Sequence, residues 1–215
     1  MGIFRNEVAG GRCGPRLGIQ DPGGELMPAL IAVVLGIVLG SAVGGSLPRL
    51  GLLTLRFELL LIPLFAVQAI ARGRLLGLVG ASRFSLAVWV ASSILLVSVM
   101  LLNWRTPGMA IGAAGVLMNL DVVLVNRAMP VLGGGGLLAS APVAEVASRT
   151  GGFYRVVEQG DLFTWLGDVM PIAAGRSVAL VSPGDVVLMI AVAVVIMFGM
   201  STGEGRRGAD PMDAA

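Results

Sequence analysis

The residues able to do chemistry in this sequence stand in a few places inside otherwise oily runs. The stretch GVLMNLDVVLVNRAMPVLGGGG, residues 115–136, carries Asn119, Asp121 and Asn126 and then breaks at Met129-Pro130. Asp168 lies in LGDVMPI, Asp185 in SPGD, and Gln68 near the end of another apolar segment. Among hydrophobic residues such groups can bind a cation or small polar solute, cross-link helices by hydrogen bonds, or catalyse if two acids share a proton. The chain has no His, and its one Cys is Cys13. Imidazole bases, His-ligated metals, Ser-His or Cys-His nucleophiles and disulfides are therefore excluded, and no cofactor or metal is expected.

The elements that must position these residues are membrane helices. The chain is 56% hydrophobic and 13% charged, with a mean hydropathy of +0.90, against roughly 25% charged in a typical globular protein. All 15 basic residues are Arg, and the net charge is +2. They are scattered between apolar runs, which offers nothing for nucleic acid to bind. Five segments approach the roughly 20 apolar residues that cross a bilayer: 26–47, 52–71, 84–103, 108–126 and 183–200. The expected fold is an all-α membrane protein, a compact bundle of about five transmembrane helices in lipid, with a long interfacial loop (127–182) before the last.

Residues 1–25 read as a flexible extension and 201–215 as a polar tail. Met27 offers an alternative start, and a cleaved signal peptide is disfavoured by the length of the first run. Gly36, Gly40 and Gly44 stack on one face of the first span, while Gly112 with Gly115 and Ala87 with Ala91 suggest further close helix contacts. Arg56 and Glu58 open the second span, and Pro63 should kink it. In the loop, GGGGLLASAPVAEVASRTGG is flexible by composition. Phe153, Tyr154, Phe163 and Trp165 belong to a part lying at the interface or folded back on the bundle.

Span four is marginal alone. Its Leu, Ile and Val residues contribute roughly 2.5 to 5 kcal/mol, which one central Asp at about 2.5 to 3.5 largely cancels. Asn119 and Asn126 fall on nearly one face, with Asp121 about 200° round from Asn119, so burial on both sides is expected. Interhelical hydrogen bonding is the simplest role for the amides, with a ligand or ion role as the competing one. Alternating spans gather Gln68, Arg72, Arg74, Arg83, Asn126, Arg127, Asp168, Arg176 and Asp185 on one side, where Asp121 should find an Arg partner. Ser182, Pro183 and Asp185 form a capping-box pattern at the fifth span. Asp168 has no such structural explanation and is the better candidate for a functional acid.

In order, LGIVLGSAVGG, Gln68, GVLMNLDVVLVNRAMPV, LGDVMPI and VSPGDVVLMIAVAV resemble a family of small bacterial integral membrane proteins known only as a domain of unknown function. The resemblance covers about residues 27–200 and brings no activity with it. That family tends to read Asn-Gly-Gly-x-Met-Pro-Val, or a near variant, where this chain has NRAMPV. Asn119, Asn126, Met129 and Pro130 match, Arg127 and Ala128 replace the glycines, and Asp121 stands at a usually apolar position.

Three functions compete. One is binding or passage of a small solute, ion or lipid at the polar cluster. The second is a structural or assembly subunit that docks a membrane-protein partner or a second copy. An intramembrane aspartate enzyme using Asp121, Asp168 and Asp185 is disfavoured, because SPGD is already explained as a cap. Ten arginines lie on the side of the amino end and five on the other, which favours an internal amino end. Beginning the chain at Met27 and counting only arginines near the spans removes that bias.

Overall fold

Long apolar runs become helices here because a helix satisfies the interior backbone N–H and C=O groups within the run itself. The computed structural model describes residues 22–71, 83–131, 153–174 and 177–201. Its helices are α1 (Pro22–Ala42), a one-turn α2 (Leu47–Leu50), α3 (Glu58–Ala71), α4 (Arg83–Leu102), α5 (Met109–Asn126) and α6 (Pro183–Ser201). Each of the five apolar segments thus contains a helix. Two, α5 and α6, are long and apolar enough to cross a membrane, whereas α1, α3 and α4 contribute shorter apolar stretches. The expected flexible loop 133–152, Cys13, Arg72, Arg74 and Arg176 lie outside the described residues.

The longer helices pack side by side in the order α3, α4, α5, α6, α1. Gln68 meets Ser93, and Arg56 meets Asn103, so α3 and α4 are antiparallel. Gly108 lies against Val195, and Gly115 against Leu188 and Gly184, so α5 and α6 are antiparallel too. By contrast α1 runs parallel to α6: a Cβ on Gly36 would sit 2.8 Å from Ile196 Cβ, and one on Gly40 would sit 2.7 Å from Met200 Sδ. Gly44 does not continue this stripe. It takes φ +82 and ends α1, with Gly45 N–H donating to Gly40 O (2.8 Å) and Gly44 N–H to Ser41 O (3.1 Å). That is a left-handed helix stop, which glycine adopts without steric cost. Ala87 and Ala91 are exposed, so the close-contact role expected of them falls instead to Ser92 and Ser93 on the buried face of α4.

The second segment turns helical later than its composition suggests. Phe57 has φ 59, Leu55 N–H donates to Glu58 Oε2 (3.3 Å), and Arg56 is held by Asn103, so α3 starts only at Glu58. Its 14 residues reach about 21 Å, short of a hydrocarbon core of about 30 Å.

Segment 127–182 is partly β structure, so the all-α expectation holds for the helical layer alone. β1 (Met129–Val131) and β2 (Tyr154–Val156) pair in parallel, Met129 opposite Tyr154 and Val131 opposite Val156. β3 (Met170–Ala174) and β4 (Ser177–Val181) pair antiparallel from Ala174–Ser177 back to Met170–Val181. Valines, Tyr154 and Ile172 suit a pleated, half-buried surface, but three- and five-residue strands leave little periodicity to read. Two apolar clusters fill the interior. One joins the described parts of segment 127–182, the cap, to the helices through Trp89, Leu120, Val123, Met129, Phe153 and Tyr154. The other lies between α3, α4 and α5 around Leu64, Leu96, Met100 and Val116. Phe153 packs on Trp89 with ring centroids 5.3 Å apart. Phe153 and Tyr154 are thus buried, whereas Phe163 and Trp165 are exposed.

Candidate functional site

The buried polar centre is built where α5 meets the start of α6. Asn119, 1% exposed, donates from Nδ2 to Asp185 Oδ1 (2.8 Å) and accepts at Oδ1 from the Ser182 hydroxyl (2.8 Å). Ser182 Oγ in turn accepts the Asp185 N–H (2.9 Å), while Ser182 N–H donates to Asp185 Oδ2 (3.3 Å). The last two bonds are the reciprocal capping box expected from SPGD, with the carboxylate at the positive end of α6. Asn119 extends the box across to the next helix. Only glycine permits this approach, because a Cβ on Gly184 would lie 2.1 Å from Asn119 Oδ1 and 2.7 Å from Gly115 O.

Asn126 ends α5 and grips the cap. Its Nδ2 donates to Val122 O (2.9 Å) and to Leu162 O (2.8 Å), and its Oδ1 accepts from Leu162 N–H (2.9 Å). Both amide donors are used, and the side chain exchanges bonds with both backbone groups of one residue, as a strand neighbour would. An equivalent clamp closes the opposite end of the molecule. At the end of α4, Asn103 Nδ2 donates to Val99 O (2.8 Å) and Arg56 O (2.9 Å), and Oδ1 accepts from Arg56 N–H (2.7 Å). Asn103 was not among the candidates, yet a signal for it exists. LLNWRTP and LVNRAMP both place Pro four residues after the Asn.

Gln68 is buried and donates to Ser93 Oγ (3.0 Å), whose hydroxyl donates to Trp89 O (2.8 Å), so it ties α3 to α4. Met129 and Pro130 lie in β1. Met129 N–H donates to Phe153 O (2.7 Å), and Pro130 O accepts from Asp168 N–H (2.9 Å), with Asp168 bridged to Val131. Proline fits this strand because the bonds to β2 use Met129 N–H and Val131 O, so the N–H that Pro130 lacks is not called on. Gly167 allows the contact, since a Cβ there would lie 2.3 Å from Pro130 O. The Asp168 carboxyl is buried in the cap, the residue being 3% exposed. Arg155 pairs with Glu158 (3.1 Å) and with the nearly buried Asp161, and Asp161 Oδ2 accepts Glu158 N–H (2.8 Å).

Asp121 departs from expectation. The angle from Asn119 is as counted, but the residue is exposed, on the side of α5 that leaves Leu117 and Leu124 exposed as well. Packing between α4 and α6 buries two sides of α5 and leaves this one open. No arginine pairs with Asp121 among the described residues; Arg127, the described candidate, is exposed and takes the left-handed conformation (φ 54) just after α5. The eight candidates therefore occupy separate stations: Asn119 with Asp185, Asn126 with Leu162, Gln68 with Ser93, Asp168 with Met129 and Pro130 in the cap, and Asp121 outside.

A family model described as "Family of unknown function (DUF5317)" matches residues 52–197. The chain belongs to this family. No curated protein and no solved structure matches it. The DUF5317 match takes in both asparagine clamps, the Asn119–Ser182–Asp185 network and the cap, and begins after α1.

Proposed function

We propose that this DUF5317 protein is a multi-pass membrane protein that works as a structural or assembly subunit, holding a rigid β cap at one bilayer face. The observation that carries this reading is the use made of its polar residues. Asn103, Asn119, Asn126, Gln68 and Asp185 are each committed to another part of the fold. A solute site needs polar groups with capacity to spare. Exposed Leu30, Val34, Leu35, Val38, Leu59, Ile62, Leu124 and Ile190 support a hydrocarbon solvent, since soluble monomers rarely expose so much contiguous apolar surface. Exposed Leu162, Phe163 and Trp165 on the cap suit the interface. The glycine faces are consumed within the fold, so a membrane-protein partner or a second copy would dock on the cap.

Single cysteines at Trp104 and Leu162 in a Cys13→Ser background test the topology. Labelling by an impermeant maleimide from opposite sides of oriented vesicles is expected, and labelling of both from one side would overturn the crossings. Solute binding at the cap is the competing reading. It predicts that Asp168→Asn abolishes uptake or binding in a folded protein, whereas the assembly reading predicts that a co-purifying partner is lost when Leu162, Phe163 and Trp165 are replaced by Ser.

A further inference from the structure

At the end of the molecule opposite the cap, a recess of about 510 Å³ is lined by Thr54, Arg56, Leu102, Asn103, Trp104, Arg105 and Thr106. We propose that it binds a phosphate group, either the headgroup of an anionic phospholipid or free phosphate. The lining supplies two guanidinium groups and two hydroxyls, the donor set that suits a tetrahedral anion. Neither Arg56 nor Arg105 has a carboxylate partner among the described residues, where the ion pairs are those of Arg155. The neighbouring acid, Glu58, accepts from the backbone of Leu55.

The recess is also held in shape. The Asn103 clamp fixes the backbone of Arg56 against the end of α4, and Thr106 N–H donates to Asn103 O (2.8 Å), so the two cationic residues are presented by one braced corner. Arg105 lies over the Trp104 ring, 5.7 Å from its centroid, an arrangement that steadies a guanidinium while leaving its edge open. The exposed Trp104 and Leu102 put an apolar flank beside the cations, as an acyl chain below a phosphate would require.

The test uses full-length protein in dodecyl maltoside, with the unfolding temperature read during titration with phosphatidylglycerol, phosphatidylcholine or sodium phosphate, the last against sodium chloride at equal ionic strength. A saturable stabilisation by phosphatidylglycerol is expected. Its apparent affinity should fall roughly tenfold or more in Arg56→Gln/Arg105→Gln and stay within about twofold in Arg49→Gln, whose arginine lies outside the recess. The same Arg-dependent response to sodium phosphate, without one to lipid, would assign the site to the free anion. Should the Gln pair fail to fold, Arg56→Lys/Arg105→Lys keeps the charge and loses the bidentate fork, and a several-fold weaker response is expected. Equal responses in wild type and the Arg56/Arg105 variants, or none to phosphatidylglycerol and sodium phosphate alike, would overturn the assignment. The outcome does not depend on the assembly reading.

Discussion

Gly184→Ala probes the α5–α6 junction most directly. The new methyl would fall 2.1 Å from Asn119 Oδ1 and 2.7 Å from its Cγ, so the carboxamide must swing away. That breaks the bond to the Asp185 carboxylate and the bond from Ser182. A hydrogen bond to a charged group contributes about 1.5–3 kcal/mol and a neutral one about 0.5–1.5, giving a loss of about 3 kcal/mol. Asn119→Ala removes the same two bonds, so its expected loss is similar. The two changes should then be far from additive: once the carboxamide is gone, the methyl added at Gly184 meets mainly Gly115 O, and the double variant should lose about 3–4 kcal/mol rather than about 6. Reversible unfolding in mixed non-ionic and dodecyl sulfate micelles, followed by circular dichroism, measures the cycle. Additivity within about 0.5 kcal/mol would refute the reasoning, because the two substitutions would then act on different contacts.

The other expectations concern the clamps and the cap. Asn103→Ala should cost about 2 kcal/mol in the same unfolding assay, and Asn126→Ala about 1, because the Leu162 groups it releases are exposed to solvent. Limited proteolysis should separate the two, with new cleavage near Leu162 in Asn126→Ala and none there in Asn103→Ala. Arg127→Gly should stabilise by about 0.5–1 kcal/mol, since a side chain in the left-handed region is strained, whereas Arg127→Ala should bring no such gain. Gly167→Ala should break the Asp168–Pro130 contact, exposing Trp89 and shifting its fluorescence to the red while leaving far-ultraviolet helicity largely intact.

What was legible in the sequence was local. SPGD announced its capping box because every participant lies within four residues. Asn119 announced a helix contact because an amide deep in an apolar run must find a partner. Asp121 was harder. Helical geometry gave its direction correctly, but burial on that side required knowing that, among the described residues, the helices packed on α5 are α4 and α6. The cap strands were hidden for a related reason. β1 exists because Tyr154 and Asp168 come to it from 25 and 37 residues beyond their partners Met129 and Val131, and nothing within MPV itself demands a strand. Asn103 was passed over because a polar residue at the end of an apolar span, beside Trp104 and Arg105, is what any interface would show.

The sequence likeness between LLNWRTP and LVNRAMP also explains why two unrelated ends of the molecule share one device. A helix ending in apolar surroundings leaves carbonyls without partners. Asparagine at the last turn returns one donor to the carbonyl four residues back and offers its remaining N–H and its oxygen to the backbone C=O and N–H of whichever residue passes by. Proline four residues on prevents the helix from resuming. At α4 the passing residue is Arg56, so the clamp delays α3 and braces the cationic recess. At α5 it is Leu162, so the clamp holds the cap. If the device is interchangeable, Asn103→Gln and Asn126→Gln should both fail to rescue stability, because the longer side chain cannot serve the i−4 carbonyl and the strand-like exchange together. Serine, which lacks the second donor, should fail equally at both ends.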